Sequence, residues 1–422
     1  MIEIINKEDC VGCNACMQRC PASCISMSED EQGFLYPKVD VSKCIDCGLC
    51  EKVCPVLNQG EPRQPIKVYA ARNKDKEVIK TSSSGGIFYA LAESVIKDGG
   101  VVFGARFDDE WQVMHDWTDT IEGLRAFQGS KYVQSRIGTA YQQAESFLKA
   151  GRKVMFTGTP CQIKGLVLFL RKDYGDQLLR VDVICHGVPS PGVWREYLKY
   201  ITRPQGESAG KNTVSVSSKG QIPKIDSISF RDKKFGWEKF GFRISTVVPE
   251  DDPNSVPASK SQKRYSEFFE LFSENLYMKL FLNNLDLRSS CYKCPAKSGK
   301  SCSDISLADY WGVVSEHPAS YSKEGVSLLL VYSRPTDQIL LQKNLKLIES
   351  SYDKALKNNP PIKDDPVKPE LSEQFWSIFE KDGIVGICKL IKIAKPELKQ
   401  RIINSIKDLL RPIAYRILAL RK

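Results

Sequence analysis

Short apolar runs and amphipathic stretches alternate along most of this 422-residue chain. Apolar runs such as KVYAARN at 67–73 and VVFGARF at 101–107 are bounded by glycine or polar residues, and they predict buried strands. Between them, residues 81–100 repeat apolar side chains at helical spacing and end in Gly99-Gly100, which predicts an amphipathic helix. Strands alternating with helices of this length predict an α/β fold with a mainly parallel sheet.

The alternation continues to about residue 350. It predicts, in order, a helix at 138–150, a strand at 153–160, a helix at 161–172, a strand at 178–187, a helix around 265–286, a strand at 327–333 and a helix at 336–350. Segment 202–263 is rich in Ser, Lys, Gly and Pro and holds β-like stretches at 227–232 and 241–248. We therefore expect an inserted hairpin or lid there.

Composition divides the chain into four predicted segments. They are a small module at 1–57, a polar, proline-bearing linker at 58–66, a larger α/β domain at 67–350, and a basic helical extension at 351–422. The net charge of +10 is concentrated near the end, where residues 389–422 carry ten Lys and Arg against two acids. The basicity therefore does not indicate nucleic-acid binding. For a helix near 396–420, packing on the core is favoured, and docking on a membrane surface or partner is the alternative.

Two features bear on the location of the protein. No apolar run approaches the roughly 18–20 residues of a membrane span. The chain opens on MIEIINKEDC, without the apolar stretch of a secretory signal, and its 15 cysteines fit a compartment that keeps thiols reduced. We expect a cytoplasmic protein whose cysteines are free to bind metal.

Two cysteine runs near the N-terminus share one spacing. Each reads C-x₂-C-x₂-C-x₃-C-P, the bacterial ferredoxin run, in which the fourth cysteine ligates the other cluster. The pattern predicts two 4Fe-4S sites: site I, formed by Cys10, Cys13, Cys16 and Cys54, and site II, formed by Cys20, Cys44, Cys47 and Cys50. Zinc is disfavoured because it usually takes pairs of C-x-x-C, and disulfides are disfavoured by the expected reducing compartment.

Four further cysteines lie in the larger domain and are named site III: Cys161, Cys185, Cys291 and Cys294. The first two follow predicted parallel strands, at the ends where α/β sheets place ligand sites. The other two form a chelating C-x-x-C pair followed by proline. The four could converge on a third 4Fe-4S cluster. From spacing alone, buried thiols that act as small apolar side chains remain the alternative.

Three glycine-bearing turns occupy comparable places, at 82–86, 129–132 and 158–160. The first opens a helix, where free backbone N–H groups and small residues favour an anion such as phosphate. Lys131 could add a positive charge. Plain turns and helix caps are the alternative for each, and no G-x-G-x-x-G follows a strand.

Taken in order, these pieces resemble the beta-subunit family of coenzyme F420 hydrogenases and dehydrogenases, which are iron–sulfur flavoproteins, here with a ferredoxin-type module fused in front. The matching blocks are TSSSGGIFYALAESVI (81–96), FQGSKYVQS (127–135), VMFTGTPCQIKGL (154–166), VDVICHGVPSP (181–191), ISFRDKKFGWEKF (228–240) and CYKCPAKSGKSCSDISLADYWGV (291–313). The resemblance does not cover the basic end beyond residue 389. Cys24, Cys302 and Cys388 lie outside every motif.

The resemblance implies FAD bound by the larger domain beside a third 4Fe-4S cluster held by site III. The flavin contacts that it implies are Ser84, Gly85, Gly86, Gly129, Ser130, Lys131, Thr159, Asp304, Asp309 and Gly312. No nucleophile or acid–base pair stands out, so no catalytic residue is assigned.

The function expected from the sequence is an oxidoreductase that passes electrons between a ferredoxin-like redox partner and a two-electron substrate. A flavin can take two electrons as a hydride and release them singly, which suits that exchange. The substrate could be a deazaflavin or a nicotinamide. A non-catalytic relay subunit of a larger complex and an accessory protein with structural clusters are the alternatives.

Overall fold

The computed structural model describes residues 1–203, 224–247, 265–333 and 344–393, with the side chains of 391–393 excepted. The predicted helix near 396–420, residues 204–223 and 248–264 on either side of the β-like stretches, and the beginning of the predicted helix at 336–350 lie outside the described residues. Among the helices described, none is long and apolar enough to cross a bilayer.

The N-terminal module is built from two similar halves. Strands β1 (Ile25–Glu29) and β2 (Leu35–Val39) pair antiparallel, and each cysteine run leads into a short helix, α1 (Ala15–Arg19) or α2 (Leu49–Lys52). The residue before each helix has a left-handed backbone, with φ of 60° at Asn14 and 65° at Gly48. The two cysteine runs therefore fold alike, as their shared spacing predicts.

The larger domain is organised around one eight-stranded sheet of order β13-β3-β12-β11-β7-β6-β4-β5. Its strands are β3 (Lys67–Asn73), β4 (Val101–Phe107), β5 (Val113–Thr118), β6 (Val154–Gly158), β7 (Leu178–Val183), β11 (Ile305–Asp309), β12 (Ser327–Val331) and β13 (Leu345–Ser350). Parallel ladders join the four central strands β11, β7, β6 and β4. Antiparallel ladders join the strands on both flanks. The predicted α/β class is confirmed.

Helices cover both faces of this sheet. The helices described after the module are α3 (Lys76–Thr81), α4 (Ile87–Lys97), α5 (Ala140–Lys149), α6 (Pro160–Leu170), α7 (Pro191–Thr202), α8 (Leu276–Leu282), α9 (Val313–Glu316), α10 (Tyr352–Asn358) and α11 (Ser372–Ile393). Val101 and Phe103 of β4 pack with α5 and α6, whereas Val102 packs with α4. The strand is buried on both faces, which explains its nearly continuous apolar sequence.

The predicted helix at 265–286 is wrong in its first half. Strand β10 (Tyr265–Leu271) pairs antiparallel with β9 (Gly241–Val247), which also pairs with β8 (Lys224–Asp232). The aromatic residues of YSEFFEL suit a half-buried strand, and pairing with β9 along its whole length overrides the helical reading.

Residues 345–350 are also a strand rather than the end of the predicted helix. In β13, Leu345 and Leu347 pack against the sheet core while the strand pairs with β3. The alternation in LKLIES has a period of two residues, which is the strand period.

The module packs directly on the larger domain through α1. Gln18 of α1 accepts backbone hydrogen bonds from Tyr141 (3.0 Å) and Gln142 (3.2 Å) at the start of α5. Gly165 lies inside α6, where glycine costs about 1 kcal/mol relative to alanine. A Cβ at Gly165 would lie 3.1 Å from Cys13 Sγ. The glycine therefore allows α6 to approach the cysteine loop of site I.

We expect Gly165→Val to disturb this contact, because its side chain would displace Cys13. Overpacking of this kind costs about 1–3 kcal/mol. The variant should lose iron from site I and unfold at lower urea concentration than the wild type. Ser146→Val, on the exposed side of α5, is the matched control. Equal iron content and equal urea midpoints for both variants would contradict the proposed contact.

Candidate iron–sulfur and flavin sites

Site II lies at the surface of the module. Its four cysteines, Cys20, Cys44, Cys47 and Cys50, line one cavity together with Cys24. Cys47 is exposed, and Ile2 N–H donates to Cys50 Sγ at 3.3 Å. The fold thus brings Cys20 of the first run to three thiols of the second, as the sequence predicts.

Site I lies deeper, between the module and α6. Cys13, Cys16 and Cys54 are buried, and Gly12 N–H donates to Cys10 Sγ at 3.4 Å. Burial, followed by the charges of Cys10 and Cys54, raises the pKa of Cys16 to about 12. Cys54 of the second run therefore lies with the thiols of the first run, which is the crossed arrangement expected from the sequence.

Site III assembles from three separate parts of the chain. Cys161 lies in the first turn of α6 and Cys185 follows β7. Cys291 lies within the turn after α8, and Cys294 ends that turn. Burial, followed by the charges of Cys291, Cys161 and Cys294, raises the pKa of Cys185 well above its usual value. The four thiols therefore lie close enough to affect one another.

The spacing of these thiols bears on the kind of metal they could hold. Within the described residues, no group of three or more His, Cys, Asp or Glu side chains is gathered closely enough to share a single metal ion. A 4Fe-4S cluster takes a thiolate at each of four irons, so its ligands stand further apart than those of one zinc ion. The donor chemistry of all three sites fits such clusters.

Two of the glycine-bearing turns meet at a hydroxyl. Ser83 Oγ accepts a hydrogen bond from Ser130 N–H at 2.7 Å and lies 3.0 Å from Ser130 Oγ. Next to them, the Lys131 ammonium donates to the carbonyls of Gln128 (3.0 Å) and Gly129 (3.2 Å). Burial lowers the pKa of Lys131 to about 7. Gly85 N–H donates to Ser327 Oγ at 2.9 Å, which anchors the first turn to β12.

Arg231 of β8 is the strongest feature of this region that the sequence did not single out. Its side chain is only 4% exposed, and Nη1 donates to Asp309 Oδ2 at 2.7 Å. Within the described residues, its Nε and Nη2 atoms and the buried Oγ of Ser84 have no hydrogen-bond partner. Unpaired buried donors are costly, so these atoms point to an anionic ligand.

Aromatic rings surround Arg231 and Asp309. Trp237 Nε1 donates to Asp309 Oδ1 at 2.9 Å, and Trp237 stacks on Trp311 with centroids 4.8 Å apart. A Cβ on Gly325 would lie 3.0 Å from Trp237 Cδ1 and 3.1 Å from Ser84 Cα. Flat aromatic side chains next to an unsatisfied guanidinium suit a ligand with a planar ring and a phosphate.

Three expected flavin contacts serve other purposes in the structure. Asp304 accepts two hydrogen bonds from the Arg180 side chain and lies at the opposite end of β11 from Asp309, about 16 Å away by strand rise. Thr159 caps α6 and its Oγ1 lies 3.2 Å from Cys161 Sγ. Gly312 starts α9 with φ of 80°.

Gly86 and Gly129 also have left-handed backbones, with φ of 77° and 81°. Glycine accommodates that conformation without strain.

The three cysteines outside the motifs have different surroundings. Cys24 Sγ lies 3.3 Å from Cys20 Sγ, at the edge of site II. Lys164 donates to Cys302 Sγ at 3.7 Å. Cys388 lies beside Tyr200, whose pKa is raised by burial and then by this thiol. Cys24 is the one that sequence spacing could have associated with a site, since it follows the first run by four residues.

Lys131 predicts a pH dependence for anion binding. Its lowered pKa means that the amine is charged below about pH 7 and neutral above it. The affinity for FAD should therefore fall as the pH rises through this range, by at most about tenfold per unit for one proton. A bound phosphate stabilises the charged amine, so it would shift the loss of affinity to higher pH. Fluorescence titrations between pH 6 and 9 measure this, and Lys131→Met should flatten the profile. A wild-type profile as flat as that of the variant would contradict the role of Lys131.

Sequence comparisons agree with these observations. Residues 151–350 match the family profile that describes the C terminus of the coenzyme F420 hydrogenase/dehydrogenase beta subunit. Two profiles, both described as 4Fe-4S dicluster domain, match residues 9–58 and 40–96.

Individual relatives match parts of the chain. A 7Fe ferredoxin of Hydrogenibacillus schlegelii is 38% identical over 73 residues, which are 16% of this chain and 87% of the relative. The uncharacterized protein MJ1349 of Methanocaldococcus jannaschii is 24% identical over 200 residues, 40% of this chain and 55% of the relative. The chain thus spans about half of the second relative.

Among solved structures, the F420-reducing [NiFe] hydrogenase complex of Methanosarcina barkeri, derivatised with xenon, includes a similar chain. The TM-score is 0.40 at 16% identity, covering 70% of this chain and 90% of that chain.

The module and the domain behind it define an iron–sulfur protein of the electron-transfer class. Residues 151–350 belong to the coenzyme F420 hydrogenase/dehydrogenase beta-subunit family, and a 4Fe-4S dicluster domain precedes them at the N-terminus. The resemblance found in the sequence is thereby confirmed.

Proposed function

We propose that this protein is a flavin-dependent oxidoreductase that passes electrons between a ferredoxin-like partner and a two-electron substrate. The observation that carries the proposal is the order of the sites. Site II lies at the surface, site I lies against α6, and site III includes a thiol of that same helix. The candidate anion-binding residues around Arg231 come next in this order, at the same edge of the sheet as site III.

The outer end of this order is accessible to a partner protein. Cys47 is exposed, and Ile45 beside it is 67% exposed. An exposed apolar rim around a cluster site suits brief docking of a redox protein. We propose site II as the contact with the one-electron partner.

The step from site I to site III is short in the fold. Gly165, which contacts Cys13, lies four residues after Cys161 on α6. One helical turn therefore separates the contact with site I from a ligand of site III. Tyr141 lies between them, and its pKa is raised by burial and then by the charges of Cys13 and Cys161.

Site III fits a third 4Fe-4S cluster. Burial, followed by the charges of neighbouring thiolates, raises the pKa of both Cys161 and Cys291 to about 12. Four thiolates would not coexist there without cations, and iron supplies that charge. When bound, the clusters carry single electrons and the flavin exchanges two electrons as a hydride.

The candidate flavin residues lie at the carboxyl edge of the central strands. Asp309 ends β11 and Phe107 ends β4, while Cys161 and Cys185 follow β6 and β7. The turn at Gly85 belongs to the same edge, because Gly85 carbonyl accepts from Asn73 N–H at the end of β3. Ligands of α/β sheets bind at this edge, so flavin and site III would be neighbours. We propose Ser84, Gly85, Gly86, Gly129, Ser130, Lys131 and Asp309, together with Arg231, as the flavin site.

Anaerobic reconstitution with iron, sulfide and FAD tests the proposal. We expect about twelve iron atoms and one FAD per chain, four irons for each cluster. Reduced deazaflavin, NADH and reduced ferredoxin are then offered separately, and bleaching of the flavin identifies the donor. Absence of bound flavin after reconstitution would overturn the flavin assignment. Iron near eight per chain would overturn the third cluster alone.

A further inference from the structure

We propose that Arg288 is a buried positive charge that joins sites I and III and raises the reduction potential of the clusters held there. For site I the inference rests on the 4Fe-4S dicluster domain, and for site III it rests on the proposed function. Arg288 would act as a positioning residue, since it contacts the cysteine loops and not the substrate.

The guanidinium is held by three acceptors from distant parts of the chain. Arg288 is 0% exposed, and it donates to the carbonyls of Cys10 (2.7 Å) and Leu35 (3.0 Å) and to Gln134 Oε1 (3.0 Å). It also lies 4.3 Å from the ring centroid of Tyr36. The side chain of Arg288 thus fixes the module to the larger domain beside the first ligand of site I.

The approach to site I is close. A Cβ on Gly12 would lie 2.9 Å from Arg288 Nη1, and Gly12 N–H donates to Cys10 Sγ. The guanidinium therefore packs against the loop between Cys10 and Cys13 with no side chain between them.

The backbone of Arg288 belongs to the loop of site III. Its carbonyl accepts from Cys291 N–H at 2.9 Å, and its N–H donates to the carbonyl of Val188 at 3.0 Å. Val188 N–H in turn donates to Cys291 Sγ at 3.4 Å. Arg288 is thus part of the turn that carries Cys291, three residues further along the chain. The same cation therefore acts on both sites.

In the part of the chain that the structure describes, no carboxylate neutralises this cation. Among the residues that the structure describes, its acceptors are two carbonyls and one amide, and no ion pair includes it. A buried charge without a counter-charge is unfavourable. Clusters ligated by four thiolates carry net negative charge, and they would supply the missing counter-charge on both sides.

This arrangement has a direct redox consequence. Adding an electron to a cluster adds negative charge, and a nearby cation stabilises the reduced form. Loss of the Arg288 charge should shift the reduction equilibrium of each cluster by roughly tenfold toward the oxidised form, which is 59 mV for one electron. Arg is suited to this task because its guanidinium stays charged when buried.

Potentiometric titration of the reconstituted protein, followed by electron paramagnetic resonance, tests the proposal. Arg288→Gln should lower the potentials of sites I and III, leaving site II nearly unchanged. Arg288→Lys keeps the charge and should retain most of the potential while weakening the contact between module and domain. Arg72→Gln, which removes a half-buried arginine paired with Glu324, is the control and should leave all potentials unchanged.

A second variant keeps the test decisive if Arg288→Gln takes up few clusters on reconstitution. Gln134→Glu keeps an acceptor beside Nη1 and neutralises the guanidinium, so it should lower the same potentials. Unchanged potentials in loaded Arg288→Gln or Gln134→Glu would overturn the proposal. If the third cluster is absent, the shift at site I still decides the role of Arg288, so failure of the proposed function is distinguishable from failure of this inference.

Discussion

Replacing Cys161 with serine should remove about a third of the iron, four of roughly twelve atoms per chain, and leave the dicluster module loaded. Cys161 lies in the first turn of α6, close to Cys294, whose charge adds to the effect of burial on its pKa. Serine keeps the size and the helix start at Thr159 but is a poor ligand for iron. The variant should also lose the fast reduction of flavin by reduced ferredoxin, because the proposed order of sites has site III between site I and the candidate flavin residues.

Iron and sulfide analysis of the anaerobic protein measures this result, and the spectra of sites I and II show that the module is intact. Cys302→Ser is the matched control, because Cys302 contacts Lys164 and is not among the thiols that affect site III. It should keep all of the iron. Equal loss in both variants would mean that the iron loss reports general instability, and no loss in Cys161→Ser would contradict the third cluster.

The sequence predicted the module well because its signal is local. Each cysteine run covers eleven residues, and its loop folds with a left-handed residue, Asn14 or Gly48, before a short helix. The spacing of the cysteines and the backbone conformation of each loop therefore determine sites I and II together. The central strands were predicted for a similar reason, since strands such as β4 are apolar on both faces.

Site III and the ligand region around Arg231 could not be obtained from spacing. Site III gathers thiols from residues 161 to 294, and only the sheet brings them to one edge. Arg231 stands beside Asp232 at the end of the stretch ISFRD, and its unpaired atoms appear only in three dimensions. Arg288 lies three residues before the C-x-x-C pair, and its contact with Cys10 joins residues 278 positions apart.

The difference between local sequence signals and contacts that form only in the fold also explains why the helix predicted at 265–286 is wrong. Residues 265–271 are a strand because β9 supplies a partner, and nothing within the heptapeptide YSEFFEL reveals that partner. Asp304 and Asp309 are close in sequence, but the structure separates them. A strand of five residues places them at opposite ends, where Asp304 pairs with Arg180 and Asp309 pairs with Arg231.

Replacing Arg231 with glutamine should weaken FAD binding by at least about 30-fold, which corresponds to roughly 2 kcal/mol, the lower end for removing one partner of a buried charge pair. The guanidinium has two donors, Nε and Nη2, without a partner among the described residues. A phosphate that accepts from both gains charge-assisted hydrogen bonds in a water-poor site. Arg231→Lys should bind FAD with intermediate affinity, because it keeps the positive charge and loses the paired N–H donors of the guanidinium.

Arg243→Gln on the adjacent strand β9 separates this effect from a general loss of stability. Arg243 pairs with Asp232 and Glu267 on the same small sheet, and none of its atoms is among the buried donors that lack a partner in the described residues. Fluorescence titration of FAD, with iron content and thermal unfolding measured in parallel, should show weak flavin binding and full iron loading for Arg231→Gln alone.

If Arg231→Gln binds FAD as tightly as Arg243→Gln does, the unpaired guanidinium serves another anion and the flavin must be placed elsewhere along the carboxyl edge. A parallel loss of iron would instead show that Arg231 supports the fold through Asp309, since the lost ion pair would then disturb β11 and the neighbouring thiols of site III.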